Sequence, residues 1–136
     1  MVVPFKLPPF GKLIDALNAA GVETASARGF WGGVNSSGEI VVTSWIDAND
    51  GAGRFRIARP KTNHGGLKAQ WEVGNIRNGT EVRLILLRQR GNLPLGGGSR
   101  TVGGAVLMPG RWRVVDTSFN EGRQRPEAII EPAPTT

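Results

Sequence analysis

The sequence has no cysteine, no tyrosine and a single histidine, His64. Without thiols, disulfides and thiolate metal sites are excluded. One imidazole with no thiol partners does not make a structural zinc site. No apolar run approaches the ~20 residues that a membrane-crossing helix needs. The opening MVVPFKLPPF is interrupted by prolines and lacks the charged start and long apolar middle of an export signal. These absences predict a protein without a membrane span, located in the cytoplasm. The 3.6-residue periodicity of a helical bundle is also mostly missing.

What is abundant is Gly (20 residues) and Pro (9), which punctuate short strands and tight turns. A length of 136 residues fits one domain with a real core. We expect an extended arm over residues 1–9, a β-rich domain over 10–130 and a disordered tail over 131–136. In segment 10–20, Phe10, Leu13, Ile14 and Leu17 follow i, i+3, i+4, i+7 spacing, which predicts a helix closed by Gly21. Segments 30–34 and 39–46 flank the turn NSSG and read as a hairpin. RFRIAR (54–59) alternates charge with apolar residues, as a half-buried strand does. Residues 67–77 are ambiguous between helix and strand. TEVRLILLRQ (80–89) is apolar on both faces around Leu84–Leu87, which predicts a central strand. Residues 91–104 read as a Gly-rich loop. Strands are expected at 105–108, 111–116 and 127–130, with polar turns at 117–126. The fold class is therefore mainly β: a small antiparallel barrel or strongly curved sheet of five to seven short strands, with one N-terminal α-helix.

Charge is distributed unevenly. Between Arg54 and Arg113 stand twelve basic residues and two acids, a net +10, while the rest of the chain carries −4. Such a segment points to a polyanionic partner, and DNA or RNA is the leading reading. Strand alternation puts Arg54 and Arg56 on one face of RFRIAR and Arg111 and Arg113 on one face of RWRVV. Phe55 and Trp112 then point inward. If those strands neighbour one another, four guanidiniums line one patch, each able to fork two hydrogen bonds to phosphate. Arg59, Lys61, Arg88, Arg90 and Arg100 complete the expected backbone contacts. Trp31, Trp45 and Trp71 are candidate platforms for stacking bases, a flipped or modified base included. Trp31 and Trp45 share a face in only one register of the hairpin. Gly96-Gly97-Gly98-Ser99-Arg100 offers free N–H groups to phosphate but matches neither nucleotide-binding glycine pattern.

Two other classes compete. The basic face suits an acidic protein partner, which makes the chain an assembly subunit. A small metal-dependent nuclease or hydrolase would need His64 or acids such as Asp47, Asp50, Glu72, Glu81 and Asp116 to converge. No pattern in the sequence gathers them, and no catalytic, metal or cofactor motif is recognised. Oligomeric state is not legible in the sequence.

Overall fold

The apolar run Leu84–Leu87 can satisfy both of its faces only if something packs on each. The computed structural model, which describes residues 7–91 and 101–134, has that arrangement. Its elements are α1 (Leu13–Ala19), β1 (Gly32–Val34), β2 (Ile40–Trp45), β3 (Phe55–Ala58), α2 (Leu67–Glu72), β4 (Glu81–Gln89), β5 (Val102–Leu107), β6 (Trp112–Asn120) and β7 (Arg125–Pro132). The strands form one seven-stranded sheet in the order β1-β2-β4-β6-β7-β3, with β5 also paired to β4.

β4 is the hub. Along one edge it runs parallel to β2, with Ile40 opposite Val82 and Trp45 opposite Leu87. Its other edge is divided. Glu81 and Val82 pair with β6, and Ile85 to Gln89 pair with β5. The side chains of Val82, Leu84 and Leu86 enter one core with Val42, Phe55, Ile57, Leu67, Trp71, Trp112, Val114 and Ile130. Ile85 and Leu87 enter a second core with Val41, Ala105 and the α1 residues Ala16 and Leu17. All five apolar β4 residues are essentially inaccessible. At about 1.5–3 kcal/mol each, their burial is among the largest favourable contributions in the domain.

The sheet curls but does not close into a barrel, and it is mixed rather than wholly antiparallel. The parallel β2–β4 pair is the reason. Parallel neighbours need a long crossover, and here residues 46–80 make it, carrying β3 and α2. β3 pairs with β7 on its way. Its approach to β2 is bridged by the Ser44 hydroxyl donating to the Arg56 carbonyl at 2.5 Å. The ambiguous stretch 67–77 holds α2, whose Leu67 and Trp71 cover the first core.

Other boundaries moved for local reasons. The first helix starts at Leu13 rather than residue 10, because Gly11 exchanges two backbone hydrogen bonds of 2.8 Å with Ala105. β6 continues through Asn120 into segment 117–126, which reads as polar turns in sequence but holds the outer end of a hairpin with β7. β7 runs to Pro132, into the segment 131–136 expected as a disordered tail. The β1–β2 hairpin forms as expected. Its turn is organised by Asn35, whose side-chain oxygen accepts from the Ser37 and Glu39 N–H groups at 3.0 and 2.8 Å. Among the described residues, no helix is long and apolar enough to cross a membrane.

Because β4 is buried on both faces, Leu86→Ala and Ile85→Ala should each destabilise the protein by about 2–5 kcal/mol in urea unfolding. A strand with one solvated face would show a large loss for one substitution and a loss within about 0.5 kcal/mol for the other.

Candidate nucleic-acid interface

The two Arg-x-Arg strands do not become neighbours. β3 and β6 both flank β7, which stands between them. Register puts their outward residues on one face, but β7 contributes Glu127 and Glu131 to the same face. Arg113 donates to Glu131 at 2.9 Å. Arg54 donates to Asp50 at 2.8 Å, across the turn that precedes β3. The Asp50 carboxyl is held below its usual range, first by the N–H of Ala52 and also by the groups of Arg54. Arg111 reaches the residue just ahead of β2 and donates to Glu39 at 2.9 and 3.0 Å. Three of the four guanidiniums therefore face carboxylates, and the expected four-arginine patch does not assemble. Phe55 and Trp112 do point inward, their rings meeting edge to face at 5.7 Å.

Glu39 ties the entries of β2 and β6 to β4. Besides Arg111 just ahead of β6, it faces Arg83 of β4 at 3.8 Å and accepts from the Asn35 side chain at 3.1 Å. The Asn35 hydrogen bond, then the charges of Arg111 and Arg83, hold its carboxyl below the ordinary glutamate value against the opposing effect of burial.

The tryptophans separate into two groups. Trp71 is buried in the first core and offers no exposed ring face, so it drops out as a stacking platform. Trp31 and Trp45 come together with ring centroids 6.4 Å apart and planes tilted by 49°. Both are half-buried against the second core. His64 sits in a turn, its ring edge-on to Phe30 at 5.3 Å and its Nδ1 3.3 Å from the Arg28 carbonyl. Among the described residues, no group of three or more His, Asp or Glu side chains is placed to hold a metal.

What the fold does build is a groove of about 650 Å³ where the end of β4 meets β5 and α1. Arg88 and Arg90 line it, joined by Lys12 just ahead of α1 and by Arg28. Among the described residues, four cations and no acid line it. Phe10 forms another part of the wall, with the Arg88 guanidinium 4.9 Å from the centre of its ring. That contact orients a charge otherwise free to swing, at a worth of about 0.5–1 kcal/mol. The ladder is irregular here: Arg88 opposes Gly104, whereas Gln89 opposes Val102, leaving Gly103 as the extra residue. Such bulges bend a strand and re-aim its side chains. A Cβ on Gly103 would lie 2.8 Å from the Arg90 Cα, so only glycine permits this approach.

Arg88 and Arg90 were expected in the interface from sequence. Lys12 and Arg28 were not. They lie outside the +10 segment, and nothing local marks them as partners of Arg88, 76 and 60 residues later. Arg56 and Arg59 gather elsewhere, beside β7, and Lys61 is exposed in the bend after Pro60. Arg100 and the triple glycine fall outside the described residues.

The lowered pKa of Glu39 has a defined sign. Its clamp contributes stability above the ordinary glutamate value and loses it as the pH falls through the depressed folded value. Glu39→Gln keeps an amide oxygen for Asn35 but removes the charge. The stability gap between wild type and Glu39→Gln should be at most about 1 kcal/mol at neutral pH, and it should close on acidification. Thermal unfolding at a series of pH values measures this, and a gap that widens in acid contradicts the clamp.

No family model, no curated protein and no solved structure matches the chain.

Proposed function

We propose that this protein is a nucleic-acid-binding module that holds a phosphate backbone in the groove of Lys12, Arg28, Arg88 and Arg90. One observation carries the reading: among the described residues, four cations converge on a concave surface whose lining contains no carboxylate. Arg54, Arg111 and Arg113, by contrast, are each matched to an acid. Leaving the groove unmatched costs self-repulsion that an anion relieves. Arginine forks and a lysine point charge are the donors that phosphate takes.

Base contacts are assigned to Trp31 and Trp45. They pack in the apolar cluster that also holds Leu13, Ala27 and Val102, which form part of the groove wall. A base leaving its stack, modified or not, finds partly exposed ring surface there. A cysteine-free chain needs no oxidising compartment, which fits a cytoplasmic location.

The test is a binding panel of single- and double-stranded DNA and RNA at several salt concentrations. Four neutralised phosphates give a log–log salt slope of about −2.8 on single strands and about −3.6 on duplex. Replacing Arg88 and Arg90 with Ala should cut the slope roughly in half and lower the unfolding temperature by no more than a few degrees. Failure to bind any nucleic acid at low salt refutes the reading. Salt-sensitive capture of an acidic protein from nuclease-treated extract, under the same conditions, would put a protein partner in its place.

A further inference from the structure

A second set of cations lies on β3 and the β6–β7 hairpin, sharing no residue with the groove. Register builds it. Arg56 stands opposite Ile129, and Ala58, with only a methyl, stands opposite Glu127. The Arg59 N–H donates to the Pro126 carbonyl at 3.1 Å. Arg125 pairs with Asn120 at the last rung of the hairpin, next to Arg123 in its turn. Four arginines from two separate stretches of chain thus reach one end of the sheet.

Their mutual field is felt at Arg125. Burial first, and then the charges of Arg123, Arg56 and Arg59, push its pKa below the ordinary arginine value, while Glu127 pulls the other way. Glu127 also accepts from the Asn120 side chain at 3.0 Å. Among the described residues, Arg56, Arg59 and Arg123 make no ion pair, and the buried Nε of Arg125 has no hydrogen-bond partner. Arg56 and Arg123 are exposed and contribute little to packing. Crowding like charges at such positions opposes folding, and an anionic ligand reverses the sign of that effect.

The site is distinct from the groove by topology. β6 meets β4 only at Glu81 and Val82, the end opposite Arg88, and runs antiparallel away from it. Beyond β3, rungs Phe119–Pro126 and Asn120–Arg125 make a two-stranded ribbon. A ribbon of this kind fits the major groove of duplex DNA. Phe119 is 53% exposed on it.

We propose that Arg56, Arg59, Arg123 and Arg125 form a second phosphate-backbone surface, so that one chain holds two stretches of nucleic acid at once. The identity of the ligand rests on the function proposed above; the existence of an anion surface does not. The test uses two oligonucleotides of roughly 12 nucleotides, one carrying a donor fluorophore and one an acceptor. Inorganic polyphosphate serves as a phosphate-only probe. Wild-type protein should bring the two labels into energy transfer. The double variant Arg56→Ala with Arg123→Ala should still bind one oligonucleotide, but about tenfold more should be needed for transfer. The groove variant, Arg88→Ala with Arg90→Ala, should likewise bind one and bridge poorly. Circular dichroism should show both variants folded.

Undiminished transfer by the Arg56/Arg123 variant overturns the second surface, including the case where bridging comes from self-association through the groove alone. So does a groove variant that binds nothing. If wild type binds polyphosphate but no oligonucleotide, and the Arg56/Arg123 variant loses that binding, the anion surface stands and the nucleic-acid reading falls. Binding of neither probe removes both.

Discussion

Most of the architecture depends on one constraint: β4 has no polar face along Leu84–Leu87, so water must be removed from both sides of it. An edge strand or a strand with one solvated face would leave Ile85 and Leu87, or Leu84 and Leu86, exposed. The chain meets the constraint by making β4 the partner of three strands and the boundary of two cores. One core is closed by the curl of the sheet and by α2. The other is closed by α1 and the β1 region. The pairing of β4 with β2 is parallel. It in turn demands the long crossover that delivers β3 to β7 and keeps the sheet from closing as a simple antiparallel barrel.

The same constraint locates the cations. β4 is apolar in its middle and basic at its end, so Arg88 and Arg90 emerge where the two cores finish. α1 must pack on β4 and β5 to bury Ile85 and Leu87, and it carries Lys12 to the same place. Arg28 arrives with the segment that links α1 to β1. A packing requirement therefore concentrates positive charge beside a concave surface. The glycines of β5 leave that surface open, since Gly103 and Gly104 put no side chain into it. Around Arg54, Arg111 and Arg113 the opposite happens. Glu39, Asp50 and Glu131, all outside the basic segment, fold back onto Arg111, Arg54 and Arg113, so the net charge of a stretch of sequence is not the charge of a face.

Local patterns were legible where the deciding interactions are local. Alternation in RFRIAR placed Phe55 inward, and RWRVV did the same for Trp112. The NSSG turn declared its hairpin because Asn35 caps the turn with its own side chain. The Trp31–Trp45 pair was foreseeable as one of two registers. The start of α1 is not legible in the sequence because its boundary is set by a bridge to Ala105, far along the chain. Nor is the length of β6, because its outer half, from Asp116 to Asn120, is polar. Its strand character comes from pairing with β7, not from burial.

The sequence by itself determined the β-rich class, the central role of β4, the inward aromatic residues and the surplus of positive charge. Each of these follows from side-chain periodicity or from composition, which need no knowledge of distant neighbours. Tertiary structure alone decided which arginines stay unmatched. Whether a guanidinium meets a carboxylate depends on strand order and register, and these bring together residues far apart in the chain. That is why Arg111 and Arg113 were quenched, why Lys12 and Arg28 joined Arg88 and Arg90, and why Arg123 and Arg125, from an acid-rich terminus, came to stand beside Arg56 and Arg59.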